Sequence, residues 1–94
     1  MAEIEVNHER EGTNQWSYDV RVFVDGQTHD YAVTLGWADY DLWCRGKSQP
    51  AKVVQRAFEF LLERESADEI MGKFDCSVIR RYFPEVDKQL PKRL

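Results

Sequence analysis

The sequence predicts an α+β domain in which a three-stranded antiparallel meander is covered by one long helix and two or three short C-terminal helices. Three observations predict it. Apolar residues fall on every even position from Trp16 to Val24, the period of a half-buried strand. A second such run, Tyr31, Val33 and Leu35, comes after Asp25-Gly26, a pair suited to the positive φ angles of a type I′ turn. Further on, Val53, Val54, Ala57, Phe58, Leu61 and Leu62 recur at helical spacing.

Ile4, Val6 and His8 alternate with Glu3, Glu5 and Asn7, which predicts a first strand over Glu3 to Arg10 and a turn over Glu11 to Asn14. Folding at Asp25-Gly26 sets Val20 opposite Tyr31, Tyr18 opposite Val33 and Trp16 opposite Leu35, with Arg21 opposite Asp30 on the other face. Pairing Val6 with Val20 and Ile4 with Val22 completes a sheet apolar on one side, which needs a cover. Asp39 is placed to cap one or two helical turns through Tyr40, Leu42 and Trp43, closed by Gly46. Ser48 is placed as the N-cap of the main helix, Gln49 to Glu65, with Pro50 in its first turn. Ser66 and Glu69 form a capping-box pattern that predicts a brief helix presenting Ile70, Met71 and Phe74. Asp75 caps a further helix through Val78, Ile79, Tyr82 and Phe83, Pro84 ends that helix or begins the next turn, and Glu85 to Leu94 is expected to fray.

Ninety-four residues with 43% hydrophobic and 13% aromatic content make one domain, 1–94. No apolar run approaches the ~18 residues of a membrane span, so no membrane role is read. The opening Met1-Ala-Glu-Ile-Glu reads as a strand start rather than a leader, which gives a cytoplasmic expectation. Cys44 and Cys76, remote and in no CxxC pair, read as core residues rather than a disulfide. The net charge of −4 is uneven. Residues 1–46 carry three basic against nine acidic side chains, and residues 47–94 carry ten against eight. A nucleic acid would be repelled by the first half and weakly drawn to the second.

Two runs, Phe58-Glu-Phe-Leu-Leu-Glu-Arg-Glu65 and Phe74-Asp-Cys-Ser-Val-Ile-Arg-Arg-Tyr-Phe-Pro-Glu85, resemble a group of small uncharacterised bacterial proteins. The resemblance spans about the last half of the chain, with a looser match over the strands. It implies a bacterial, cytoplasmic setting and no activity or site residues.

The motifs of catalysis are missing. His8 and His29 fall on one predicted sheet face, but without HxxxH or HExxH spacing they read as marginal histidines rather than metal ligands. Asp39 and Asp41 lack the DxDxDG pattern of a calcium loop. There is no GxSxG elbow, and the five glycines are isolated, so no catalytic residue, metal site or cofactor is assigned.

Two segments carry binding potential. Gly36 to Lys47 gathers Trp37, Tyr40, Trp43, Arg45 and Lys47, residue types enriched at binding hot spots and equally able to stack on nucleic-acid bases. The competing reading makes Trp37, Leu42 and Trp43 a plug at the edge of the core. Arg80, Arg81, Lys88, Lys92 and Arg93 form a basic segment that could touch RNA or an acidic partner, or serve as a solvated face. The outer sheet face, with Arg21 opposed by Asp30, is a poor reader of a DNA groove. The leading expectation is a non-catalytic module that binds an unidentified protein. The alternative is a weak nucleic-acid-binding accessory protein that uses the basic C-terminal half. Oligomeric state is not legible.

Overall fold

The computed structural model describes residues 2–94 and is an α+β domain of two layers. Strands β1 (Glu3–Gly12), β2 (Gln15–Val24) and β3 (Gln27–Gly36) form the antiparallel meander. The β2–β3 register is the expected one, with Val20 opposite Tyr31, Tyr18 opposite Val33 and Arg21 opposite Asp30. Asp25 and Gly26 take φ of 53° and 73°, both positive as a type I′ turn requires. Tyr18, Val20, Val22, Tyr31, Val33 and Leu35 are buried toward the helices. On the open face the Arg21 guanidinium donates to both carboxylate oxygens of Asp30, at 2.7 and 3.2 Å.

Strand β1 departs from simple alternation. Val6 pairs with Val20 and Ile4 with Val22, but after Asn7 the register shifts, so that His8 and Glu9 together face Tyr18. His8 has φ of 57°, the left-handed first position of a bulge. The bulge turns its ring to the open face, with Nδ1 2.9 Å from Asp19 Oδ2. His29 stays on the helix side, 3.5 Å from Asp68. The two histidines therefore do not share a face, contrary to the alternation.

Helix α1 (Trp37–Cys44) starts directly off β3. The Trp37 N–H donates to the Asn14 carbonyl at 2.9 Å, and Gly36 is the N-cap. Asp39 is thus inside the first turn rather than at the cap. Arg45 and Gly46, with φ of 51° and 77°, end the helix in the left-handed region. Helix α2 (Pro50–Leu62) is shorter at both ends than the periodicity predicts, with Gln49 and not Ser48 at its N-cap. The Ser48 carbonyl instead accepts the Tyr40 hydroxyl. At the other end the Arg64 and Glu65 N–H groups both donate to the Leu61 carbonyl, which closes the helix into a turn.

The sheet has a fourth strand that the sequence pattern does not announce. The Ser66 N–H and hydroxyl both donate to Glu69 Oε1, at 2.9 and 3.1 Å, and the Glu69 N–H donates to the Ser66 carbonyl at 3.0 Å, so the pair closes a turn instead of opening a helix. The chain then extends as β4 (Lys73–Asp75), parallel to β3, with Val33 opposite Phe74. The sheet is therefore four-stranded and mixed, in order β1-β2-β3-β4, and not a three-stranded meander alone. Parallel neighbours need a crossover. Helices α1 and α2 are that crossover, and they cover the sheet in making it.

Asp75 caps the next turn, accepting the Ser77 N–H at 3.0 Å, and this 3₁₀ turn (Cys76–Val78) leads into α3 (Ile79–Tyr82). The last ten residues do not fray. They form α4 (Val86–Gln89) and a 3₁₀ turn (Leu90–Arg93), with Val86 and Leu90 fully buried. The cause lies on α2, which has a second apolar side. Phe60 is fully buried away from the Phe58 side, its ring 6.3 Å from that of Phe83. The Arg64 guanidinium lies 3.6 Å over the Phe60 ring, and the Arg93 guanidinium lies 5.9 Å from it. Arg93 also donates to both oxygens of Glu63, at 2.7 and 2.6 Å. Covering Phe60 is what orders the C-terminus, because an exposed Phe loses the roughly 1.5–3 kcal/mol of its burial.

Cys44 and Cys76 are both buried and unpaired, as their spacing predicts. Among the described residues no helix is long and apolar enough to cross a membrane.

Candidate interaction surface

The aromatic segment divides between core and surface. Trp43 is 1% exposed and is the largest fully buried side chain. Its indole N–H donates to Asp87 Oδ1 at 2.8 Å, so the polar edge of a buried ring is satisfied. Trp37 is 48% exposed. It stands against Trp16, with ring centroids 6.2 Å apart, and Tyr40 packs edge-on against Trp16 at 5.2 Å. Trp16 and Tyr40 are half-buried, so the three rings make an aromatic corner where β2 begins and α1 departs. Leu42 is 50% exposed. Five residues from Trp37 on a helix, it points about 140° away and is not part of that corner. Arg45 and Lys47 are exposed beyond the end of α1, and neither makes a hydrogen bond or ion pair through its side chain among the described residues. The plug reading therefore holds for Trp43 and fails for Trp37 and Leu42.

The five basic residues of the C-terminal half do not act as one patch. Arg80 is held inward. Its guanidinium donates to Asp87 at 2.8 and 3.0 Å and to Asp39 at 2.9 Å, with its carbon 5.7 Å from the Trp43 ring. The Arg80 guanidinium, with the Trp43 indole beside it, holds the Asp87 carboxyl below the ordinary carboxylate range. Arg80 thereby ties α1, α3 and α4 together. Arg93 is engaged with Glu63, which leaves Arg81, Lys88 and Lys92 exposed. Neither the Arg80 corner nor the C-terminal clamp is visible in the sequence pattern, because each depends on a long-range contact, Arg80 with Asp39 over 41 positions and Arg93 with Glu63 over 30. The half-buried place of Trp16 beside Trp37 and Tyr40 is equally hidden, since its position in an alternating strand argues for the core.

Burial, then the adjacent Glu9 carboxylate, pushes the Tyr18 hydroxyl up, and it donates to Glu9 at 2.6 Å. Burial also pushes the Cys76 thiol up, which disfavours its thiolate. Among the described residues no group of three or more His, Cys, Asp and Glu could hold a metal ion.

Two of the grooves on the helix side of the sheet reach β1. The larger, about 930 Å³, lies between the β1 start, the β2–β3 hairpin and the end of α2. Its floor includes Ile4, Val24 and Leu62, and its rim carries Glu3, Asp25, Glu65 and Asp68. Glu65 makes no side-chain hydrogen bond or ion pair among the described residues, and burial, then Glu69, pushes its carboxyl up. The smaller groove continues past Ile4 and Val6 along Ala51, Lys52 and Gln55.

No protein-family model, curated protein or solved structure matches this chain.

Proposed function

We propose that this chain is a non-catalytic interaction module that binds another protein through the aromatic corner of Trp16, Trp37 and Tyr40. The observation that supports it is the half-exposed Trp37. The core is closed by Trp43, so Trp37 is not needed to fill it, and its ring stands against Trp16, on which Tyr40 in turn packs edge-on. A rigid aromatic with a packed base gives contact area at low entropic cost, which is the chemistry of a binding hot spot. Arg45 and Lys47 extend the contact as exposed cations at the end of the same helix. The setting is cytoplasmic, in keeping with two cysteines that are buried and unpaired.

The test is affinity capture with the wild-type chain and with Trp37→Ala, each with and without nuclease. A partner that survives nuclease and is lost by Trp37→Ala is the expected result. Circular dichroism should show the variant folded, with a melting temperature within a few degrees of wild type, because an exposed side chain contributes little to stability. A partner lost on nuclease treatment and indifferent to Trp37 would favour nucleic acid instead. Arg81, Lys88 and Lys92 are the exposed cations available to bind it, so such binding would be weak and fall steeply with salt.

A further inference from the structure

We infer that the free edge of β1 takes an added strand from another protein, an extended segment whose residues alternate between basic and apolar. This surface is separate from the aromatic corner and does not rest on that reading. Four observations carry it.

Strand β1 stands at the end of the sheet order, with nothing paired beyond it among the described residues. An edge strand turns alternate N–H and C=O groups away from its sheet, a template for a further strand. The regular part of that edge is Glu3–Asn7, since the bulge at His8 and Glu9 ends the simple register. The side chains of this stretch alternate. Ile4 and Val6 face the helix side and are only half-buried, whereas Glu3 and Glu5 are exposed. Both grooves reach this edge, and each is lined by Ile4 and Gln55.

An added strand has its side chains beside those of β1, on matching faces. Residues on the helix side would lie next to Ile4 and Val6 over Ala51 and the stem of Lys52, where apolar side chains are favoured. Residues on the open side would lie next to Glu3 and Glu5, where lysine or arginine is favoured. On the open face Glu5 stands opposite Arg21, whose guanidinium is already held by both oxygens of Asp30. A second copy of this chain is a poor occupant, because antiparallel self-pairing would set the glutamates of one β1 beside those of the other.

The probe is a short blocked peptide alternating lysine and valine, titrated into the full chain and followed by amide NMR shifts and hydrogen exchange. Two controls accompany it: the same composition with lysines and valines in blocks, and an alternating glutamate–valine peptide. The expected result is saturable binding with shifts over Glu3–Asn7 and along α2. Alternate amides of that strand should gain exchange protection, and the shifts at Trp37 should be negligible. The double variant Glu3→Lys/Glu5→Lys, both sites being exposed, should keep its dichroism and melting temperature and weaken binding at least about tenfold. Trp37→Ala should leave peptide binding unchanged. No binding, equal binding of the blocked-order peptide, protection absent from β1, or no effect of the double variant would overturn the inference. Concentration-dependent dimerisation through β1 without peptide would overturn it in favour of a second copy.

Discussion

The β2–β3 hairpin and the last thirty residues are built on opposite kinds of information. In the hairpin every determinant is close in sequence: alternation, a turn pair with positive φ, and a charge pair nine residues apart. In the C-terminal region the determinants are remote. Phe83 needs Phe60, Arg80 needs Asp39, and Arg93 needs Glu63. Local signals specify an element before the domain forms, whereas remote ones reward it only after the loop is closed. The hairpin should therefore tolerate single losses, and the C-terminal region should lose order as a unit.

The sharpest break of that comparison is Leu90→Ala. Leu90 is fully buried in the 3₁₀ turn after α4. Removing its side chain should cost about 2–5 kcal/mol. In a domain of this size that approaches the whole stability. Chemical denaturation should show one cooperative transition with a lower midpoint. A normal midpoint would mean the tail is a separate, dispensable unit and that its burial carries little energy.

Next in size is Arg80→Ala, which leaves Asp39 and Asp87 facing each other without their shared cation. Their side chains are 15% and 34% exposed, so water softens the loss, and about 1–3 kcal/mol is expected. The sign of the pH dependence comes from Asp87. Its folded carboxyl is held below the ordinary value of 3.8, chiefly by Arg80. The stability it contributes is present above that value and is lost as pH falls through the lower folded one. Wild type should weaken with acid in that window, and Arg80→Ala should show a shallower acid limb. Fluorescence of Trp43, which donates to Asp87, reports the same corner. Equal acid limbs would remove Arg80 from the account.

These remote contacts also mark where the sequence stops being legible. The fold class, the hairpin register, the β1 pairing up to Asn7 and the body of α2 can be read from period and turn chemistry. Strand β4 cannot, since Lys73, Phe74 and Asp75 are too few to show a period, and their partner strand lies some forty residues earlier. The bulge at His8 is equally silent, because Ile4, Val6 and His8 alternate as though regular. The ordered tail does carry a signal. Val86, Leu90 and Leu94 recur at four-residue spacing beside a Phe60 that the helix pattern leaves facing away from the sheet. The aromatic surface is legible as a segment and not as residues. Composition cannot say which of two tryptophans six positions apart on a short helix meets the core; the direction in which α1 leaves β3 decides it.

The smallest expected effect is on the hairpin's own charge pair, and it sharpens the comparison most directly. Arg21 and Asp30 are exposed, with side chains 49% and 63% accessible, and their pairing results from a register already specified by Tyr18, Val20, Tyr31 and Val33. Arg21→Ala should shift the melting temperature by no more than a few degrees, and high salt should narrow even that difference. The exchanged pair, Arg21→Asp with Asp30→Arg, should restore it, since the two side chains meet whichever strand carries the cation. Arg21→Asp alone sets two carboxylates across the strands and should be the worst of the three, still folded and still in register. Amide contacts between β2 and β3 measured by NMR provide the decisive check. If Arg21→Asp slipped the register by a residue, the charge pair rather than the apolar alternation would be what fixes the hairpin. The division between local and remote determinants would then have to be redrawn.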